Sequence, residues 1–132
     1  MGHSLNFLLD THTLIWWFNN SPLLSRAAHA CLEKTEPSHF ISAASAFEIA
    51  LKFNQGKLED MEILSNAFER TILAQGFEVL AISASDASRA GMLPFHHKDP
   101  FDRILIAQAL NHDFTLISND NKFDEYGVNR LW

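Results

Sequence analysis

A chain of 132 residues that is 47% apolar has material for a core of its own and is read as one domain, residues 1–132. Its formal charge of −6, from 10 Lys+Arg against 16 Asp+Glu, argues against a broad phosphate-gripping surface. The single cysteine, Cys31, excludes an internal disulfide; no apolar run approaches the roughly 20 residues of a membrane span, and Met1 to Leu5 lack the charge and length of a signal peptide, so the expectation is a cytoplasmic protein with no membrane partner.

The first element is the short apolar run Asn6 to Leu9, the pattern of a buried parallel strand, and it ends on Asp10. Thr11 and His12 lead into a short helix through Leu14 to Phe18. Ser25 caps a second helix, Arg26 to about Lys34, which the turn Thr35-Glu36-Pro37 stops. His39 to Ser42 reads as the second strand. Ser42 or Ser45 then caps a helix that carries Phe47, Glu48, Ile49 and Leu51 and ends at Gly56. From Asp60 to Gln75 the apolar spacing predicts one long amphipathic helix, closed by Gly76. Phe77 to Ile82 is the third strand, and Ser83 with Asp86 forms a capping box for a helix to about Ala90. Gly91 to His97 reads as a loop. Asp99 caps a helix with Pro100 at its first position and Asp102 at its third, nearly all apolar beyond Arg103. Phe114 to Ser118 is a fourth strand with Asp120 just past its end, and Val128 to Leu131 is a short fifth. Strands alternating with helices imply an α/β domain with a mostly parallel sheet, whose ligands bind beyond the carboxyl ends of the strands.

Asp10 and Asp120 fall at that edge, although each is also ordinary capping or turn chemistry. Glu48 is surrounded by apolar residues, where a carboxylate is costly unless paired or metal-bound; its alternative is an exposed i,i+4 pair with Lys52. Asp99 and Asp102 are helix caps on one reading and half of a metal site on the other. Arg103 either orients a carboxylate by a bidentate contact or bridges the surface. The adjacent His96 and His97 lack zinc-ligand spacing and their side chains diverge, so a place near phosphate or at an interface suits them better. Trp16, Trp17 and Trp132 fit a core or dimer surface better than a base-stacking platform. Hard oxygen donors without a Cys or His motif point to Mg2+ or Mn2+ and to phosphodiester hydrolysis.

Leu8 to His12, Ser45 to Lys52, His97 to Ala109 and Leu116 to Asp120 together closely resemble PIN-domain proteins, and specifically the VapC-type toxins of bacterial type II toxin–antitoxin systems. The resemblance covers essentially the whole chain, in order. It implies a three-layer α/β/α fold with a sheet of four to five strands. The activity it implies is a Mg2+- or Mn2+-dependent endoribonuclease. By position it carries over Asp10, Glu48, Asp102 and Asp120 as the catalytic quartet, with Asp10, Asp102 and Asp120 on the metal and Glu48 either a ligand or the group orienting the attacking water. Thr11, Asp99, Arg103 and Ser118 stand as supporting residues, Ser118 replacing a threonine common in the family. An RNA substrate, a cognate antitoxin and a homodimer are further implications. Three alternatives remain beside this reading: a PIN-fold nuclease that processes nucleic acid without toxicity, a haloacid-dehalogenase-like phosphatase, and a catalytically silent binding module. The second lacks the Asp expected two residues after Asp10.

Overall fold

The computed structural model describes residues 6–58 and 61–132. At its centre is β1 (Phe7–Leu9), paired in parallel with β2 (His39–Ser42) on one side and β4 (Thr115–Ile117) on the other. Outside these lie β3 (Glu78–Leu80) and β5 (Asn129–Leu131), giving a five-stranded parallel sheet in the order β3-β2-β1-β4-β5. The register sets Leu9 beside Ile41 and Ile117, so β1, β2 and β4 end at one level.

Alternation along the strands divides the core in two. Phe7, Leu9, Ile41 and Ile117 face α1 (Thr11–Phe18), α2 (Arg26–Glu33), α3 (Ala43–Asn54), α4 (Glu62–Asn66) and α5 (Phe68–Ala74), burying Leu14, Leu32, Ile49, Leu64 and Ile72. On the opposite face, Leu8 and Leu116 pack with Leu105, Ile106 and Ala109 of α7 (Pro100–His112), and α6 (Ala84–Met92) lies against α7. This is the expected three-layer α/β/α arrangement. Among the described residues no helix is long and apolar enough to cross a membrane.

The caps read from the sequence are in place. Ser25 and Ser42 accept bonds from Ala28 N and Ala44 N, and Ser83 with Asp86 closes a reciprocal capping box. Gly56 and Gly76 take positive φ at the ends of α3 and α5.

Two readings need correction. The helix expected from Asp60 to Gln75 is broken: α4 ends at Asn66, and Ala67, at φ −139° and ψ 48°, separates it from α5. The break lets Leu64 and Ile72 reach one core cluster while Ile63 and Leu73 face solvent. Thr71 also turns its hydroxyl back onto the Ala67 carbonyl, at 2.7 Å. Asp60 itself lies outside the described residues. The second correction is that α6 runs on through Gly91 to Met92. A 3-10 helix, Asn121–Tyr126, was not expected; it buries Phe123 beneath the last turn before β5.

Asp86 is more than a cap. It is buried, and besides the Ser83 backbone it accepts bonds from Asn111 Nδ2 at 2.9 Å and Gln108 Nε2 at 3.3 Å on α7. It therefore ties the start of α6 to the C-terminal half of α7. Asp86→Ala is expected to lower unfolding free energy by about 2–3 kcal/mol in urea titration, on the scale of hydrogen bonds to a charged group, against about 1 kcal/mol for the capping hydroxyl alone in Ser83→Ala.

Candidate metal centre and active site

Strand order reverses between β1 and β4, because β2 and β3 follow on one side of β1 and β4 and β5 on the other. The crevice at the carboxyl ends of these two strands is where parallel sheets hold ligands. Asp10 leaves β1 there as the N-cap of α1, with Oδ1 accepting from Thr13 N at 2.8 Å. Its other oxygen accepts from the Ser118 hydroxyl at 2.5 Å, a length typical of a charge-assisted bond. Ser118 in turn accepts from Asp120 N at 3.0 Å. One buried hydroxyl thus couples Asp10 to the turn that presents Asp120, which caps the 3-10 helix through Lys122 N. Thr13, fully buried, fastens α1 to the end of β4 by donating to the Ile117 carbonyl at 2.9 Å.

Glu48 approaches from α3, whose start is fixed by the Ser42 cap. It is 4% exposed. Thr11 donates to its Oε1 at 2.6 Å and Lys52 to its Oε2 at 2.8 Å. The sequence posed burial and the Lys52 pair as alternatives, and both are present: the carboxylate is inside while the lysine reaches in from a half-exposed position. Ser45, at 3.0 Å from Thr11 Oγ1, completes this small polar network.

Asp99 caps α7, accepting from Phe101 N at 2.8 Å, and Asp102 follows in the first turn. Asp102 lines a cleft of 420 Å3 together with Asp10, His12, Asn119, Asp120 and Asn121. Glu48 does not line that cleft, but its charge acts on Asp102. Burial, followed by the charges of Asp99, Asp10, Glu48 and Asp120, pushes the Asp102 carboxyl up to about 8. Burial also raises Asp10, against the opposing bonds from Ser118 and Thr13.

His97 is the residue that the sequence underweighted. Its Nε2 is 3.0 Å from Asp102 Oδ2 and 3.5 Å from Asp120 Oδ2. These three side chains offer ligand atoms within 4.8 Å of one another. His96 diverges, as expected, to Glu125 and the edge of Tyr126. A histidine just ahead of a capped, acidic helix start was the available signal, and the doublet masked it.

Arg103 corrects an expectation. Among the described residues it pairs with no carboxylate, and it is no surface bridge. It is buried, with its guanidinium donating to the carbonyls of Pro94, His97, Gly91 and Leu93 at 2.8–3.4 Å and lying over Phe95 at 4.7 Å. Five donors in a planar fork suit such a run of carbonyls, which have no charge to neutralise. Arg103 therefore secures the segment that presents His97, to which Tyr126 also contributes by accepting from His97 N at 2.7 Å.

The PIN domain profile matches residues 7–129. The chain belongs to the PIN domain family. It is 31% identical over 117 residues to Ribonuclease VapC22 of Mycobacterium tuberculosis, with 87% of each chain covered. Its fold is similar to the VapBC2 complex of Rickettsia felis bound to a promoter DNA fragment, with a TM-score of 0.71 at 18% identity over 96% of this chain and 98% of the other. It is also similar to a toxin–antitoxin complex from Klebsiella pneumoniae, with a TM-score of 0.59 at 26% identity over 87% of each. Membership of the PIN family sets aside the phosphatase alternative.

Burial of Asp102 among acids has a pH signature. Its folded carboxyl titrates near 8 and its unfolded one near 3.8, so the folded state binds the extra proton between these values. The stability tied to that proton is complete below the lower value and is lost as pH rises through the upper one. The metal-free protein is expected to melt at a lower temperature at pH 8.5 than at pH 6. Asp102→Asn should raise the melting temperature at pH 8.5, and added Mn2+ should stabilise the wild type more at pH 8.5 than at pH 6.

Proposed function

We propose that the chain is a Mg2+- or Mn2+-dependent endoribonuclease acting as the toxin of a toxin–antitoxin pair. The observation that carries this reading is the convergence of Asp10, Asp102 and Asp120 on one cleft, with the charge of buried Glu48 acting on Asp102. The similarity to Ribonuclease VapC22 and to toxin–antitoxin complexes supports the choice of RNA and of an antitoxin partner.

The donor set fits the ion. Carboxylates crowded around a buried Asp102 are what a hard divalent cation requires, and the described residues bring no cysteine to the cleft. Asp10, Asp102 and Asp120 would hold it. Such an ion lowers the pKa of a nucleophilic water and neutralises charge developing on phosphate. The protein's own groups supply the positioning. Ser118 fixes the Asp10 carboxylate relative to Asp120, and the α7 N-terminus keeps Asp102 close to its neighbours. Glu48, with Thr11 and Lys52 on its two oxygens, would orient the attacking water. Asp99 remains engaged with the helix start and tunes Asp102 by its charge. A homodimer and a cytoplasmic site of action belong to the same reading.

The test is cleavage of total bacterial RNA, then of defined tRNA and rRNA, by the purified chain. Wild type with Mn2+ should give discrete fragments and EDTA should abolish them. Asp10→Asn and Asp102→Asn should each lose about 10²–10³-fold in rate, the scale of removing one preorganised electrostatic group. Full activity in either variant would remove the site assignment, and cleavage of DNA in preference to RNA would remove the ribonuclease assignment.

A further inference from the structure

His97 is held with unusual care for a loop residue. Its main chain is pinned by the Tyr126 hydroxyl and by Arg103, its ring lies 5.8 Å from that of Phe123, and its side chain is 13% exposed. Nε2 is fully buried between Asp102 and Asp120 and, among the described residues, has no hydrogen-bond partner. At 3.0 Å from Asp102 Oδ2 the distance suits a hydrogen bond, but the alignment does not make one.

That combination has a simple geometric origin in metal sites. Two adjacent ligands of an octahedral ion, each about 2.1 Å from it, lie about 3.0 Å apart, and each lone pair is directed at the shared ion rather than at the other ligand. We propose that His97 Nε2 is a direct ligand of the divalent ion, forming with Asp102 and Asp120 a mixed nitrogen–oxygen set that favours Mn2+ over Mg2+. The proposal rests on the metal-dependent reading above. Imidazole is a good ligand for first-row transition ions, whereas Mg2+ prefers oxygen. Ligation requires the ring proton on Nδ1. The cost is small, because the contact that Nδ1 receives from Asp99 N is 3.4 Å long.

Mn2+ bound to the purified, otherwise metal-free chain gives an electron-spin-echo signal that is modulated by a directly coordinated 14N. Wild type should show this modulation, and growth with 15N-histidine should convert it to the 15N pattern. His12 lines the same cleft, so His12→Gln serves as the control and should keep the signal. His97→Gln should lose it and bind Mn2+ at least roughly 10–100-fold more weakly, the range already reached by mutating groups that merely support a ligand. Its loss of Mg2+ affinity should be smaller. Mn2+ bound by wild type without nitrogen modulation, or with modulation that disappears in His12→Gln, would overturn the assignment of His97 and leave the metal-dependent reading standing. Failure of wild type to bind Mn2+ would overturn both. The labelling experiment uses the unmutated protein and so stays decisive even if His97→Gln does not fold.

Discussion

Carboxylates repel one another, and this fold gathers them at the reversal point of its sheet. Each has a particular compensation. Backbone N–H groups at the start of α1 and of the 3-10 helix bind Asp10 and Asp120. Thr11 and Lys52 take the two oxygens of Glu48. The Ser118 hydroxyl holds Asp10. What remains uncompensated falls on Asp102, which burial first and then the other acids drive toward its protonated form. The site is thus built with a deficit of positive charge, and a divalent cation is the species that would relieve it. Stability is given up locally in exchange for a preorganised negative cleft, the usual way in which a functional site departs from the rules obeyed by the rest of a core.

The architecture around the cleft serves to keep that departure local. Fully buried Leu8 and Leu9 make β1 a rigid floor, and the parallel register brings β1, β2 and β4 to one edge. Thr13 bonds α1 to the end of β4, so the first acid cannot move independently of the last. On the far side, Arg103 collects the carbonyls of the segment from Gly91 to His97. A buried cation directly after Asp102 in the chain would ordinarily be expected to neutralise it. Here it is occupied by neutral oxygens, and the acidic field of the cleft survives.

The acids stand out in the sequence for local reasons. Asp10 ends an apolar run and Asp120 follows one, and a strand that stops on a polar residue places it at the edge of the sheet. Glu48 is conspicuous because its neighbours along α3 are apolar. The caps at Ser25, Ser42, Ser83 and Asp99 are legible because capping depends on residues two or three apart. By contrast, the break at Ala67 leaves the apolar pattern intact. Continuous spacing from Ile63 to Ile72 satisfies a single helix equally well, and only the shape of the core that receives Leu64 and Ile72 requires two.

By itself, then, the sequence determined the class of fold and the order of the strands, since both follow from periodicity and contacts within one or two helical turns; it marked the acids only as candidates, and their grouping as one set came from the resemblance to PIN-domain proteins. Tertiary structure decided the partners. It gave Arg103 to backbone carbonyls rather than to a carboxylate, made Ser118 the link between Asp10 and Asp120, and separated His97 from His96 by directing one ring inward. The physical reason is that a long or rotatable polar side chain is claimed by whichever group lies within about 3 Å when the chain is folded, and most of those groups come from elsewhere: Asp10 and Ser118 are 108 residues apart. No local pattern encodes a contact of that range.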